Sequence, residues 1–436
     1  MRVRIRAEAT RPTDLRQERQ CQLIFKIGGL MSNKHDRREF LAKPVQWAAT
    51  AGLLSAVGPS LLGQSSAAQE GAKILTRTLG KTGITVPIVN MGVMNADVPG
   101  LIRRAYELGM RHYDTAAYYQ GGRNEEMVGA MIKEMGVRDQ VVIATKVFLR
   151  GQGVSMHDPQ AHDVFRQVVE GSLKRLQMDH VDILYYHAVD SAEDLRADGP
   201  LQALAELKKE GKTRFIGVST HRGAVVLPEA VRLGILDVGL VTINYTMASN
   251  KDLLDAIDQA AKTGMGIVAM KTQAGGGRGR RQSPSVPQNM PPHAQTAMLK
   301  WVLHNPSITT AIPGATTYQH LEQNITVAFN LGYSDAEKEF LADKTSSAQA
   351  QFCQQCGQCR PDCPLGADIP TLMRSHMYAV QYSNQDLARR TLASLAKGEG
   401  LDACGSCGSC QATCRNFVNI GAKIAQLKAL GPHMAA

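Results

Sequence analysis

Eight of the nine cysteines in this 436-residue chain lie between residues 353 and 414, in two runs with the same spacing, C-x2-C-x2-C-x3-C. The first run is Cys353, Cys356, Cys359 and Cys363, and the second is Cys404, Cys407, Cys410 and Cys414. Four thiols in so short a stretch indicate metal ligation from one loop. A disulfide framework would suit a small secreted domain, and structural zinc needs only four ligands in two CxxC pairs, so the repeated spacing favours neither alternative.

The doubled spacing resembles that of bacterial two-cluster ferredoxins, in which each run gives three ligands to one [4Fe-4S] cluster and its fourth Cys to the other. On that resemblance, Cys363 completes the set of Cys404, Cys407 and Cys410, and Cys414 completes the set of Cys353, Cys356 and Cys359. The second run departs from the family pattern, because Arg415 follows its last Cys where Pro is usual. The resemblance implies two [4Fe-4S] clusters in a small α-rich, ferredoxin-like domain over residues 351–436.

The opposite end of the chain has the layout of a twin-arginine export signal. The pair Arg37-Arg38 is followed by Phe40-Leu41, by a modestly apolar stretch over 45–62 and by small residues up to Ala68, where cleavage is expected. A membrane anchor is the alternative, but the Pro and Gly residues within 44–59 make this a poor spanning helix. We therefore expect an exported, periplasmic protein with no stable membrane span. Residues 1–30 are interpreted as a leader or as a mis-assigned start before Met31.

The positive charge of the chain is concentrated in this signal. Residues 1–43 hold 11 Lys and Arg against 5 Asp and Glu, which accounts for +6 of the formal +10. The remaining chain is only mildly basic, and aromatic residues make up 5% of it, so it lacks the charged surface and stacking residues of a nucleic-acid-binding protein.

Between the signal and the cysteines, apolar strand-like runs alternate with helix-like segments. The eight candidate strands are 89–94, 111–114, 141–147, 181–187, 215–219, 238–244, 266–271 and 308–313. Helical periodicity follows them, for example over 252–262 with Leu253, Ala256, Ile257 and Ala260 on one face, and over 201–209 with Leu201, Leu204 and Ala205 on one face. Eight such units predict a (β/α)8 TIM barrel over residues 71–333, joined by a linker over 334–350 to the cysteine domain. A doubly wound sheet is the alternative, although no G-x-G-x-x-G follows the first strand.

Polar residues occur where the predicted strands end. Asp114 ends the second strand and precedes Thr115-Ala116, Lys146 lies in the third strand, and His187 ends the fourth. With the opening Arg77 to Gly83 segment, Asn124-Glu125, Gly211 to Ser219 and Ile312-Pro313-Gly314-Ala315, these motifs resemble the aldo-keto reductases over nearly the whole predicted barrel.

The resemblance implies four catalytic residues: Asp114, Tyr119, Lys146 and His187. A carbonyl that accepts hydride develops negative charge on its oxygen, which has to be stabilised and protonated in the same pocket. Tyr119 would donate the proton, and an adjacent Lys146 ammonium is expected to lower the pKa of that phenol. Asp114 would orient Lys146, and His187 would hydrogen-bond to the carbonyl oxygen.

The resemblance also implies a nicotinamide cofactor, NADP or NAD. Its contacts would be Ser219, Asn244, Lys271, Gly314, Gln323 and Asn324, the last two near the adenine. Leu240 stands where the family commonly has a carboxamide-binding Gln, and Met270 where many members stack a Tyr on the ring. Gly314 and His320 replace Lys or Arg residues that often mark NADP preference. The glycine-rich loop 275–281, with three Arg residues, is interpreted either as a phosphate contact or as a lid.

Together these features predict an exported oxidoreductase for a small carbonyl, alcohol or sugar, with electrons also carried singly by two clusters and exchanged with a redox partner protein. Because free nicotinamide is expected to be scarce outside the cytoplasm, a tightly held cofactor would have to be loaded before transport. The alternative is an iron-sulfur electron carrier whose barrel is a docking or sensing domain without turnover. Retention of all four catalytic residue types favours the enzyme.

Overall fold

The computed structural model describes residues 73–274, 291–343, 352–407 and 409–430. The predicted leader, the twin-arginine signal and the glycine-rich loop 275–281 lie outside the described residues. Among the described residues, no helix has the length and apolar character needed to cross a membrane.

A short antiparallel hairpin precedes eight parallel strands that follow one another around a sheet in chain order. The hairpin pairs β1 (Thr76–Thr78) with β2 (Thr85–Pro87). The parallel strands are β3 (Met91–Gly92), β4 (His112–Asp114), β5 (Val142–Val147), β6 (Val181–Tyr186), β7 (Thr213–Thr220), β8 (Val238–Thr242), β9 (Gly266–Met270) and β10 (Thr310–Ala311). Parallel bridges from Val89 to Ala311 and from Gly92 to Gly314 join the first strand to the last, so the sheet closes. The predicted (β/α)8 barrel is therefore confirmed, and the open sheet is wrong.

The strands are apolar because the barrel buries both of their faces. Every residue of β5, β6 and β8 is buried. An inner cluster, which includes Val142, Ile183 and Leu240, fills the barrel, and Leu79 and Val86 of the β1–β2 hairpin belong to the same cluster. Leu240 is fully buried in this cluster, where it packs instead of hydrogen-bonding.

Helices surround the strands, each with one apolar face turned inward. They are α1 (Pro99–Glu107), α2 (Arg123–Met135), α3 (Ala161–Leu176), α4 (Ala192–Leu195), α5 (Asp198–Lys209), α6 (Gly223–Leu233), α7 (Lys251–Lys262), α8 (Pro292–Leu303), α9 (Tyr318–Thr326) and α10 (Asp335–Ala342). The α7 face predicted from sequence is the buried one, and Asn250 caps that helix by accepting a hydrogen bond from the Leu253 amide. The predicted α5 face is wrong, because that helix buries Ala203, Leu204 and Leu207 and exposes Ala205.

The C-terminal domain packs on the barrel end where the strands terminate. Its helices are α11 (Ile369–His376), continued by a π-helical turn (Met377–Gln381), α12 (Gln385–Ala393) and α13 (Ile420–Ala429). Three polar contacts tie it to loops after β3, β6 and β8: Asn384 Nδ2 to Asn95 Oδ1 at 3.0 Å, Arg374 Nη1 to Asp190 Oδ2 at 2.9 Å and Gln354 Nε2 to Thr246 O at 2.7 Å. The domain therefore covers the barrel mouth.

The packing of α2 on α3 generates a stability prediction. A Cβ added at Gly129 of α2 would stand 2.2 Å from the Leu176 carbonyl oxygen. Because this neighbour is backbone and cannot move aside, Gly129→Ala should lower the free energy of unfolding by about 1–3 kcal/mol. Denaturant titration of the anaerobically purified protein, followed by circular dichroism, measures the change.

Gly171→Ala in α3 is the matched control. Its new Cβ would meet only the flexible end of Arg175, at 3.1 Å, so helix propensity should stabilise the protein by up to about 1 kcal/mol. Equal unfolding midpoints for the two variants would contradict this account of the interface.

Candidate active site

The four predicted catalytic side chains lie together at the covered end of the barrel. Asp114 ends β4, Lys146 lies in β5 and His187 directly follows β6. Tyr119 begins a turn after β4 in which Gln120, Gly121 and Gly122 all have positive φ (53°, 66° and 94°), and this reversal starts α2 immediately afterwards. Since parallel strands place their carboxyl ends at one edge, residues distant in sequence meet here.

Lys146 is the centre of the hydrogen-bonded group. Its ammonium is 2.6 Å from Asp114 Oδ1 and 3.3 Å from Tyr119 Oη, and it also donates to the Thr115 carbonyl. Lys146 and Asp114 are almost fully buried, with 1% and 3% of their surfaces exposed. The phenol oxygen and the carboxylate are therefore linked through one ammonium group.

The electrostatics of Tyr119 differ from the sequence-based expectation. Burial raises the pKa of Tyr119 well above its ordinary value, and the Asp114 carboxylate raises it further. Burial also lowers the pKa of Lys146, although the Asp114 carboxylate opposes this shift. The expected lowering of the Tyr119 pKa is not seen, because Asp114 compensates the Lys146 charge. Tyr119 is thus a protonated donor at neutral pH.

His187 stands beside Tyr119, with ring centroids 6.0 Å apart. Burial lowers the pKa of His187 well below its ordinary value, and the Lys146 charge lowers it further. The imidazole is therefore neutral. Its buried Nδ1 has no hydrogen-bond partner within the described part of the protein, which leaves this nitrogen available to a bound molecule.

A cavity of about 70 Å³ opens next to this group. Asp114, Tyr119, Lys271 and Gly314 line it, and so does Tyr382 of the C-terminal domain. Pockets that enclose drug-sized ligands measure roughly 300–1,000 Å³. In this arrangement the described part of the cleft accommodates only a molecule of a few heavy atoms.

Three residues at this site were missed by sequence reasoning: Arg374, Tyr378 and Tyr382. Arg374 pairs with Asp190 and lies 3.3 Å from His221 Nδ1, while the rings of Tyr378 and Tyr382 lie 4.9 Å and 5.1 Å from the Lys271 ammonium. All three belong to the spacer between the cysteine runs, where no motif marked them. Only the helical periodicity of that spacer hinted that it was ordered.

The residues predicted to bind nicotinamide differ in whether their polar atoms already have partners within the protein. The Ser219 hydroxyl and Asn324 Nδ2 are buried without partners among the described residues, which fits contact with a ligand. The Asn244 amide is already engaged, because it donates to the Lys271 carbonyl at 3.3 Å and accepts from the Thr246 amide at 3.2 Å. The Lys271 ammonium is covered by the two tyrosine rings. Gly314 lines the cleft, and Gln323 lies in α9. Two of the predicted contacts therefore have polar atoms available to a ligand, whereas Asn244 and Lys271 are already engaged within the protein.

The eight C-terminal cysteines are not joined by disulfide bonds in the structure, which disfavours the disulfide alternative. Cys353 interacts electrostatically with Cys356, Cys359 and Cys414, and Cys404 interacts with Cys363, Cys407 and Cys410. These two sets are the ones that the ferredoxin resemblance implies. No group of three or more His, Cys, Asp or Glu side chains in the described ranges could hold a single metal ion.

The surroundings of the two thiol sets differ. Cys363, Cys404, Cys407 and Cys410 line a cavity of about 390 Å³ whose other walls include Leu365 and Ile424, and Cys410 is exposed. Cys353 instead lines a small cavity together with His221 and Lys271 of the barrel. Burial raises the pKa of Cys353 to about 12 and that of Cys359 to about 11, so a bound metal centre is needed to hold these groups as thiolates at neutral pH.

Comparisons with known proteins agree with this geometry. Residues 92–297 match the model of the aldo/keto reductase family, and residues 352–419 match that of a 4Fe-4S dicluster domain. L-galactose dehydrogenase of Arabidopsis thaliana is 28% identical over 302 residues, which cover 62% of this chain and 93% of that protein. L-glyceraldehyde 3-phosphate reductase of Escherichia coli (strain K12) is 24% identical over 312 residues, 60% of this chain and 89% of that protein.

Among solved structures, the holo form of an aldo-keto reductase from Bacillus halodurans matches with a TM-score of 0.52 and 22% identity, over 65% of this chain and 99% of that one. That likeness supports the barrel fold. The chain therefore contains an aldo/keto reductase family domain followed by a 4Fe-4S dicluster domain, and it is an enzyme of the oxidoreductase class.

Proposed function

We propose that this protein is an exported oxidoreductase that interconverts a small carbonyl compound, a sugar among them, with its alcohol, and that two [4Fe-4S] clusters also carry electrons. The observation that carries the proposal is the buried chain from Asp114 through Lys146 to Tyr119, open to a cavity at the barrel mouth. The names of the Arabidopsis and Escherichia coli relatives specify sugar substrates for those proteins, which supports the substrate class.

Each of the catalytic side chains has a different role in carbonyl reduction. Tyr119 is protonated, so its phenol can donate to the carbonyl oxygen as negative charge develops there. The Lys146 ammonium, 3.3 Å from that phenol, stabilises the phenolate left behind. Neutral His187 supplies a further hydrogen bond and limits the poses that a substrate can adopt. In the oxidation direction, Tyr119 would first have to lose its proton, and the resulting phenolate beside Lys146 would then take the proton of the alcohol.

A nicotinamide cofactor, when bound, supplies or accepts hydride. Ser219 and Asn324 have buried polar atoms without partners among the described residues, which could hold one; Gly314 lines the cleft, and Gln323 precedes Asn324 in α9. Asn244 would have to release its present hydrogen bonds, and Lys271 would have to leave the tyrosine rings. NAD and NADP are both compatible with these residues.

The placement of the thiol sets supports a role in electron transfer. The set containing Cys353 shares a cavity wall with Lys271, which also lines the catalytic cavity. The set containing Cys404 lies towards the surface, where Cys410 is exposed. We assign the first set to electron exchange with the barrel site and the second to electron exchange with a redox partner protein. The reason is that electrons tunnel more readily between groups that lie close together.

Export is proposed from the sequence of the N-terminal segment, with the periplasm as destination. The twin-arginine route moves folded proteins, which suits a chain whose clusters have to be inserted before transport. The same order of events would allow a nicotinamide cofactor to be loaded in the cytoplasm.

Tyr119→Phe tests the catalytic role. The change removes the proton donor and little volume, so carbonyl reduction should fall about 100- to 10,000-fold while folding and cluster content stay intact. Steady-state rates on a panel of small aldehydes, ketones and sugars measure the loss. Tyr185→Phe is the matched control, because Tyr185 is fully buried and its hydroxyl has no partner among the described residues.

Wild-type rates in Tyr119→Phe on every accepted substrate would overturn this chemistry. No turnover of any carbonyl by the native protein, with clusters intact, would favour the electron carrier without turnover.

Iron and sulfide analysis tests the clusters. Anaerobically purified protein should be brown, should bleach with dithionite and should contain about eight iron and eight sulfide per chain. Cys353→Ser and Cys407→Ser should each reduce both contents towards about four, since they disable different sets. Zinc without sulfide would contradict the assignment.

Replacement of Arg37 and Arg38 by Lys tests the export route. Because the pathway reads the guanidinium pair, the double variant should accumulate as an unprocessed cytoplasmic precursor, detected by cell fractionation and immunoblotting. Replacement of Arg103 and Arg104 by Lys is the control for the Arg-to-Lys substitution, because these two partly exposed residues lie on α1, outside the signal. Unchanged processing of the Arg37 and Arg38 variant would remove the twin-arginine assignment.

A further inference from the structure

Lys271 lines the catalytic cavity, and two further cationic side chains, Lys146 and Arg374, lie close enough to influence it electrostatically but are each paired with a carboxylate. Lys146 pairs with Asp114 at 2.6 Å, and Arg374 pairs with Asp190 at 2.9 Å. Lys271 has no carboxylate within ion-pair distance among the described residues, and its contacts are two tyrosine rings and the Met94 sulfur, 3.9 Å away. Burial lowers the pKa of Lys271 to about 7, and the charges of Lys146 and Arg374 add to the shift, so a bound anion would favour the charged form of this amine.

The backbone holds Lys271 in an unusual conformation. Its φ is 57°, in the left-handed region that a residue with a long side chain rarely adopts. Such conformations persist where the surrounding structure requires them, and they concentrate at functional sites. Here the conformation follows β9 and places the side chain in the cavity that Tyr119 also lines.

The neighbouring residue offers a second donor. Thr272 lines the same cavity, has 1% of its surface exposed, and its hydroxyl has no hydrogen-bond partner in the part of the chain described. Buried hydroxyls are normally satisfied, so this one is available to a ligand. An ammonium and a hydroxyl on consecutive residues match the two oxygens of a carboxylate.

We infer that Lys271 and Thr272 form a subsite for the carboxylate of a small oxoacid or hydroxyacid, whose carbonyl or hydroxyl is then presented to Tyr119. The reaction of the bound acid at Tyr119 rests on the proposed function, whereas the binding of its carboxylate does not. A cavity of about 70 Å³ suits an acid of two to four carbon atoms, since roughly 10–15 Å³ of such cavity volume is enough to hold one water. An anion there would compensate the unpaired ammonium.

A nicotinamide ring is a poorer occupant of this position. The ring becomes positively charged when it gives up hydride, so an adjacent ammonium opposes that step by charge repulsion. The pyrophosphate of a dinucleotide is the other anion that could lie near Lys271, and the experiment has to separate it from a substrate carboxylate.

The test is binding of oxamate, a small carboxylate that resembles an oxoacid, to the anaerobically purified holoprotein by isothermal titration calorimetry. Charge-assisted hydrogen bonds are strong enough that Lys271→Met should weaken oxamate binding about 10- to 100-fold. Lys271→Arg should retain most of the affinity, and Thr272→Val, which keeps the shape but removes the hydroxyl, should lose several-fold. Lys262→Met, on the last turn of α7, is the control and should bind like the wild type.

Equal oxamate binding by wild type and Lys271→Met, or no binding by wild type at millimolar oxamate, would overturn the subsite. Loss of NADPH binding without loss of oxamate binding in Lys271→Met would assign the ammonium to the dinucleotide and would also overturn it. Because Tyr119→Phe should still bind oxamate, failure of the catalytic proposal is distinguishable from failure of this one. If Lys271→Met loses its clusters, Thr272→Val decides the question.

Discussion

The buried ion pair between Asp114 and Lys146 is the interaction on which the catalytic end of the barrel depends. Two charges with 3% and 1% of their surfaces exposed persist only because they are 2.6 Å apart and the ammonium has a third partner in the Thr115 carbonyl. Removal of either partner would leave the other charged in an apolar interior, at a cost of about 3–5 kcal/mol. The pair therefore holds β4 against β5. It also determines where Tyr119 has to lie for its hydroxyl to reach the ammonium.

The same compensation explains why Tyr119 remains protonated. An isolated ammonium beside a phenol stabilises the phenolate, whereas an ammonium neutralised by a carboxylate does so much less. Burial then dominates and raises the Tyr119 pKa. The raised pKa suits a residue that has to donate a proton, because the phenol stays protonated over the physiological pH range. The favourable interaction with Lys146 grows as the phenol gives up its proton, which is when stabilisation of the transition state matters.

Sequence patterns predicted the fold well, because they report local physics. The eight strands were identified from continuous apolar runs, which the burial of both faces requires, and the two cysteine sets were inferred from the resemblance to two-cluster ferredoxins. The spacer residues Arg374, Tyr378 and Tyr382 could not be identified, because contact across two domains leaves no periodic signal in either. The inward face of α5 was misjudged for a related reason: Leu201 and Ala203 are both apolar, and only packing against α3 decides which one is buried. The raised pKa of Tyr119 could not be predicted, because it depends on how deeply the side chain is buried, and the sequence alone does not give that.

The C-terminal helix α13 places one lysine near each of the two cysteine sets. Lys428 donates to the Cys404 carbonyl at 2.7 Å, while Lys423, five residues earlier, interacts electrostatically with Cys353. A cluster held by four thiolates carries net negative charge, and a nearby ammonium stabilises the more negative, reduced state. One helix therefore gives each thiol set a lysine. Carbonyl reduction requires two electrons, whereas each cluster transfers one, so two clusters of comparable potential on one path could hold both electrons needed for a single turnover.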